Sequence, residues 1–456
     1  MHTNRNSIIY HVRYVFICVA TLLLFAVMFT YGQETRMQYP PIDDKIKSAI
    51  IDSACIALND VYVFPDVAKN MEQLLRNNLK DGKYKNITNL VDFTDRLTTD
   101  LQSVSHDKHL RVRPAPPRDP NNPSQPSPEE EKKQQLEQLH KENFGFKKVE
   151  ILPGNIGYID FRYFAETSFG DASATAIAAM NFLAHVDALI FDLRENGGGS
   201  PSMIQLISSY LFEEPVHLNS FYIRKSNETQ QFWTQGHVQG KKLINVPVFV
   251  LTSSFTFSGA EEFTYNIKNL KRGTIIGETT GGGAHPVEGH IFEDLNVFIT
   301  VPFGRAVNPI TKTNWEGTGV EPDIKITASQ ALIVARTEAL KSLLAKETDE
   351  GRKKQLAWGI KGLEVERNPV PIDEATSQAY VGDYGPRKVS FENGFLFYQR
   401  EGRPKYKLIS MGDDTFLLEG LDTFRIKFNR DNSGKVIEFV GMYSDGATDS
   451  TKRTGK

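Results

Sequence analysis

The feature that most constrains this chain is a repeated order of strand, helix and buried strand between residues 149 and 277. Residues 156–163 alternate apolar and polar side chains as a strand does. Residues 172–184 form an Ala-rich helical stretch, and residues 188–193 are an apolar run bounded by polar residues. Residues 248–252, 260–270 and 274–277 repeat the unit. Two βαβ units predict a partly parallel sheet with helices over its faces, so the fold class is α/β.

The flanking regions have other periods. Residues 42–56, 67–79 and 92–101 repeat apolar side chains at three- and four-residue intervals and read as helices. Seven prolines at 114, 116, 117, 120, 123, 126 and 128 then break the pattern. Proline fixes φ and removes a donor, so this stretch reads as an extended linker. The charged run 129–142 reads as an exposed helix, and residues 331–365 as a charged helical region. From residue 379 the chain turns to short strands, among them 389–391, 396–399 and 424–428, with turns at Asn393-Gly394 and Asn432-Ser433-Gly434. The expected organisation is a signal peptide (1–32), an N-terminal helical domain (33–113), a Pro-rich and charged linker (114–146), a core (147–330), a helical connector (331–368) and a small C-terminal all-β domain (369–456).

The signal peptide rests on Arg5 and Arg13, the apolar run 15–29, and small Thr30 and Gly32 before a cut at Gln33. An uncleaved anchor is the alternative, but the run is shorter than the ~20 apolar residues of a span. No later stretch is apolar enough to cross a membrane. The chain is therefore expected to be exported, whether periplasmic, cell-surface or secreted. Cleavage leaves Cys55 as the single cysteine, so no intramolecular disulfide is expected. A net charge of −3 gives no electrostatic case for nucleic acid.

Four segments could carry chemistry. The first is Thr252-Ser-Ser-Phe-Thr-Phe-Ser258-Gly-Ala-Glu-Glu262, where a buried strand turns into a helix at Ser258. A hydroxyl there projects from the sheet edge, and unpaired N–H groups of the helix start, Gly259 included, point at what it would attack. Ser258 with Glu261 also fits the S-x-x-E capping box, and capping alone accounts for the local pattern. The second is Phe191-Asp-Leu-Arg-Glu-Asn-Gly197-Gly-Gly-Ser-Pro201, whose glycines could complete an oxyanion hole or simply form a flexible turn. The third is Ser105-His-Asp-Lys-His109-Leu-Arg-Val112. A serine nucleophile needs a base whose pKa lies near neutrality. His109 leads into an apolar alternation and is the better-fixed candidate, with His106, His285 and His290 as competitors. The fourth is Asn314-Trp-Glu316-Gly-Thr-Gly-Val-Glu-Pro-Asp323, a source of an orienting acid. No cluster shows metal-ligand spacing, so neither metal nor organic cofactor is expected.

Taken in order, D-x-H, DLRENGGG, TSSFTFSGAEEF, GETTGGGAHP and NWEGTGVEPDI resemble the serine peptidase family of the tricorn core, the C-terminal processing peptidases and interphotoreceptor retinoid-binding protein. The resemblance spans residues 42 to 330. It implies a crotonase-like (ClpP-like) core, Ser258 as nucleophile, His109 as base and Glu316 as the acid orienting it. It also implies an oxyanion hole from the N–H groups of Gly259 and of Gly198 or Gly199. Gly283 stands where the Ser/Lys members carry their lysine, so the resemblance favours a Ser/His/Glu triad. The 35 residues from 114 to 148 are too few for the PDZ module of those members. The last residues, from Tyr380 onward, resemble a small β-domain appended to some bacterial penicillin-binding-type hydrolases.

The expected function is an exported serine endopeptidase acting on a protein or peptide substrate. A non-catalytic binder of apolar ligands on the same fold is the alternative, and a scaffolding surface protein a third. No oligomeric state follows from the sequence.

Overall fold

A computed structural model of the chain describes residues 13–15, 39–117 and 126–455. The expected signal segment, apart from residues 13–15, and linker residues 118–125 lie outside them.

After a short strand, β1 (Arg13–Val15), come three helices: α1 (Asp44–Val61), α2 (Pro65–Lys80) and α3 (Leu90–Ser105). Their starts follow from local chemistry. Asp43 accepts from the Ile46 N–H at 2.8 Å, Asn89 does the same for Asp92, and proline opens α2 where its missing N–H costs nothing. His106 ends α3 in the left-handed region at φ 55°. Strand β2 (Arg111–Pro114) follows, then α4 (Pro128–Lys141), the exposed charged helix.

The core strands are β3 (Phe146–Leu152), β4 (Ile156–Phe161), β5 (Ala188–Asp192), β6 (His217–Ile223), β7 (Glu228–Trp233), β8 (Val248–Thr252), β9 (Thr274–Gly277), β10 (Val287–Phe292), β11 (Val297–Pro302), β12 (Gly304–Val307) and β13 (Ile324–Lys325). Between them run α5 (Ala172–Phe182), α6 (Pro201–Ser209) and α7 (Gly259–Asn269). Six strands form one sheet in the order β13-β9-β8-β5-β4-β3; all its pairs are parallel except β3 with β4. Successive residues of the central strands face opposite sides. Leu189, Phe191, Val248, Val250 and Ile275 pack beneath α5, α6 and α7. Ala188, Ile190, Phe249, Leu251 and Ile276 pack against α8 (Ala328–Leu344) and α9 (Glu350–Arg367). Both faces are covered, which is why these strands read as unbroken apolar runs. The helical stretch expected over 331–365 is two helices, because Asp349 caps a new start by accepting from the Arg352 N–H at 2.7 Å.

A further short helix, α10 (Glu374–Tyr380), leads into an antiparallel sheet whose strands pair in sequence order. They are β14 (Gly382–Tyr384), β15 (Arg387–Glu392), β16 (Phe395–Arg400), β17 (Lys405–Gly412), β18 (Thr415–Leu418), β19 (Leu421–Arg430), β20 (Val436–Tyr443) and β21 (Thr448–Lys452). Its core holds Tyr384, Phe416, Phe428 and Phe439. Arg425 joins it to α9, its guanidinium 3.8 Å from the Trp358 ring centroid. Among the described residues, no helix is long and apolar enough to cross a membrane, and Cys55 is buried and free.

The N-terminal helices do not have a core of their own. Ile50, Leu58, Leu75 and Leu97 share one cluster with Val112 of β2 and with Phe292, Val297, Ile299 and Val301 of the β10–β11 hairpin. β2 pairs antiparallel with β11, Val112 opposite Ile299, and β1 pairs with β10 on the other edge. Ile299→Ala removes a fully buried side chain from that cluster and is expected to cost about 2–5 kcal/mol. In hydrogen exchange α1–α3 and the hairpin should then lose protection together while β4, β5 and β8 keep theirs. Equal loss in the parallel sheet would show that the two cores unfold as one.

Candidate active site

Three neighbouring parallel strands, β5, β8 and β9, release their chains at one edge of the sheet, the edge where open α/β sheets place their sites. Residues 193–200, 253–258 and 278–286 therefore meet. Asn196, fully buried, donates to the Phe161 carbonyl at 2.8 Å and accepts from the Gly198 N–H at 2.9 Å. The Phe257 N–H reaches the Asn196 carbonyl at 3.1 Å, and the Gly281 N–H the Thr256 carbonyl at 2.9 Å.

Ser258 begins α7 with φ 54° and ψ −121°. That conformation separates it from a plain cap. The helix caps Asp43, Asn89, Ser127, Ser200, Asp349 and Asp373 all have φ between −116° and −65° with extended ψ, the usual cap geometry. A non-glycine residue in the sparsely populated region costs on the order of 1–3 kcal/mol and persists only when its surroundings hold it there. Here Glu261 does the holding. Its buried carboxylate accepts from the N–H groups of Ser258 (2.9 Å), Gly282 (2.7 Å) and Gly283 (2.8 Å) and from the Thr280 hydroxyl (2.5 Å). Burial pushes the Glu261 carboxyl up to about 7, against the pull of those four bonds.

The glycine turn comes close to this serine. Gly198 and Gly199 have φ 112° and 136°, and a Cβ on Gly198 would stand 2.7 Å from Ser258 Cβ and 2.8 Å from Gly259 N. The expected oxyanion donors divide here. The Gly198 N–H is spent on Asn196, whereas those of Gly199 and Gly259 have no acceptor among the described residues.

His109 is 4 % exposed and lies against Phe257, ring centroids 4.7 Å apart. Neither ring nitrogen has a hydrogen-bond partner among the described residues. Burial pushes its pKa down to about 4, which keeps the ring neutral at neutral pH. A Cβ at Gly283 would fall 2.6 Å from His109 Cε1, so the imidazole fills the space a side chain at 283 would need. The acid in range of His109 is Asp107, with Oδ1 3.9 Å from Nδ1 and 3.0 Å from the His109 backbone N–H.

Glu316 does not reach His109. Its Oε2 accepts from the Ala284 N–H at 2.5 Å and lies 3.6 Å from His285 Nδ1, and that same nitrogen is 2.6 Å from Asp107 Oδ2. Burial, then the charge of Asp107, raises the Glu316 pKa. Burial disfavours protonation of His285, but the bond and charge of Asp107, with Glu316, outweigh it and its pKa is raised. Exposed His106 is the helix terminus, and buried His290 sits in β10 beside Glu288. Sequence reasoning saw Glu261 only as a capping partner and Asp107 only as part of a motif. The D-x-H spacing was the available signal, since it lets the Asp107 carboxylate accept the His109 N–H.

A cavity of about 840 Å³ between α8, α9 and β16–β19 is lined by none of these residues.

The α/β core thus sets a strained serine over the edge of a parallel sheet. Residues 155–326 match the model of peptidase family S41, and residues 45–153 that of the N-terminal domain of Peptidase_S41 in eukaryotic IRBP. The chain belongs to peptidase family S41. Among solved structures it is similar to a lipoprotein from Streptococcus agalactiae (18% identity, 68% of this chain and 99% of that one, TM-score 0.44). It is also similar to a putative peptidase from Parabacteroides merdae (18%, 63% and 90%, TM-score 0.42) and to the tricorn protease (14%, 70% and 37%, TM-score 0.40). At these levels the likenesses say nothing of activity or substrate.

Glu262 is 3 % exposed and has no ion-pair partner among the described residues; burial pushes its carboxyl up to about 8. Its folded pKa lies above the unfolded value, so its stabilising contribution is complete at low pH and is lost as pH rises from the ordinary carboxylate range through 8. The Tm of Glu262→Gln should therefore fall less than that of the wild type between pH 5 and 8.5. Parallel curves would show that Glu262 is ionised in the fold.

Proposed function

We propose that this chain is an exported serine endopeptidase that hydrolyses peptide bonds through an acyl-enzyme at Ser258. The observation that carries the reading is the Ser258 backbone, held in a strained conformation that helix capping does not require.

Neutral His109 takes the Ser258 proton as Oγ bonds to the scissile carbonyl carbon. The resulting oxyanion meets the free N–H groups of Gly199 and Gly259. His109 then gives its proton to the leaving amine as the C–N bond breaks, and water, deprotonated by the same ring, releases the acid. Asp107 stands beside the imidazolium that forms. Glu316, the third member expected from the resemblance, acts through His285 and Asp107 rather than on His109 directly. The space occupied by His109 at Gly283 supports a histidine base over a lysine one. Export is supported by the basic, apolar and small-residue order of residues 1–32.

Ser258→Ala should lose reaction with a fluorophosphonate probe and at least 10³-fold in hydrolysis of an unfolded protein. His109→Ala should behave similarly, and His106→Asn should stay within twofold. Absence of label on the wild type would overturn the peptidase reading in favour of a binder of apolar ligands. With the His109 pKa held near 4, the acid limb of kcat/KM should fall below pH 6, where an ordinary histidine of pKa about 6.5 is mostly protonated. A limb at 6.5 or above would show that another group is the base.

A further inference from the structure

Behind His109, three side chains distant in sequence converge. Asp107 and His285 are 178 residues apart along the chain, yet Asp107 Oδ2 meets His285 Nδ1 at 2.6 Å, with Glu316 Oε2 3.6 Å from that nitrogen. One donor atom from each of the three lies within 4.8 Å of the others. Asp107 and His285 are 1 % and 5 % exposed at the side chain and Glu316 17 %. Two largely buried carboxylates here have no Lys or Arg ion-pair partner among the described residues, and burying such charges is expensive unless cations offset them.

Two further observations point to a missing partner. Among the described residues both His109 ring nitrogens are buried without a hydrogen bond, and Nδ1 stands 3.9 Å from Asp107 Oδ1, whose bond is to the His109 backbone N–H. Glu316 Oε1 is likewise buried and has no hydrogen-bond partner among them. Two imidazoles and two carboxylates make a donor set of nitrogen and oxygen, which suits zinc rather than calcium or magnesium. Ligand atoms on a tetrahedral zinc lie about 3.2–3.6 Å apart, given bonds near 2.0–2.2 Å. Pairs in the cluster of Asp107, His285 and Glu316, up to 4.8 Å apart, close by about 1.2–1.6 Å to reach that spacing, and His109 Nδ1, 3.9 Å from Asp107, moves in with them.

We propose that Asp107, His285, Glu316 and His109 form a binding site for a zinc-class divalent cation, and that its occupation shuts the peptidase off reversibly. Binding forms four metal–ligand bonds in place of waters that the hydrated cation gives up to solvent; the proton of a neutral His285 moves from Nδ1 to Nε2 as Nδ1 becomes a ligand, and nothing is oxidised or reduced. With the cation on His109 Nδ1, the ring proton stays on Nε2 and no lone pair is left to take the serine proton. The shut-off rests on the peptidase reading; the binding does not.

The test measures zinc binding directly, by competition with a chromophoric chelator on the full chain at pH 7.5, alongside Tm with and without zinc. The wild type and Ser258→Ala should bind one equivalent with equal affinity and melt higher with zinc. His285→Ala and Glu316→Gln, each checked for a cooperative melt, should bind at least tenfold more weakly and lose the zinc-dependent rise. Equal binding by the wild type and both variants, or no binding by the wild type, overturns the site. On the active wild type, zinc should abolish hydrolysis and EDTA restore it; saturating zinc without inhibition overturns the shut-off. Zinc binding with the expected variant pattern, in a chain that neither hydrolyses nor takes a serine probe, would support the site and overturn the peptidase reading alone.

Discussion

The site depends on one buried carboxylate. Glu261 gathers the Ser258 N–H, the Thr280 hydroxyl and the N–H groups of Gly282 and Gly283. It therefore fastens the end of β8 to the loop after β9. That loop carries the rest of the wall: the Gly283 carbonyl accepts from Trp315 Nε1 at 2.7 Å, and the Gly317 N–H reaches the Gly282 carbonyl at 3.1 Å. Glu316 lies between those two anchors. Leaving any one of these buried donors unsatisfied would cost about 1–3 kcal/mol. The strain at Ser258 is thus offset by a network that also places Gly283 against His109.

Electrostatics at the site follow from the same burial. A dry environment disfavours charge on any lone group, so His109 stays neutral and Glu316 is drawn toward protonation. The exception is the Asp107–His285 pair, where contact at 2.6 Å favours the charged imidazole. One neutral ring faces the serine turn and one ring prone to protonation lies behind it, with Asp107 bonded to the second and 3.9 Å from the first. The arrangement separates two histidines of the same intrinsic pKa by what each one contacts.

Much of the core was legible because both faces of the parallel sheet are buried, which turns β5 and β8 into unmistakable apolar runs. The sheet of β12, β6 and β7 was not, since β7 is exposed along most of its length and shows no alternation. Ser258 was ambiguous in sequence because S-x-x-E encodes a cap whatever its φ; only the backbone angle distinguishes the two roles. The partner of Glu316 was illegible for another reason. Which imidazole a carboxylate meets depends on how the loop after β12 folds over the loop after β9, and no local pattern records that. His285 was visible as a competitor for His109, but its position between two acids comes only from tertiary packing.

The N-terminal helices matter to the site more than their distance in sequence suggests. Asp107 and His109 lie between α3 and β2, and β2 is held by pairing with β11 and by the cluster it shares with α1–α3. The β10–β11 hairpin is continuous with the loop that carries Gly283 and His285. One hairpin therefore supports the base through β2 and leads directly from the loop that Glu261 fastens to the nucleophile's turn. The register between Val112 and Ile299 fixes how far His109 extends toward Gly283. A slip of one residue would turn every side chain of β2 to the opposite face and carry His109 away from Phe257. The apolar cluster of the N-terminal helices is thus what sets the base against the sheet edge.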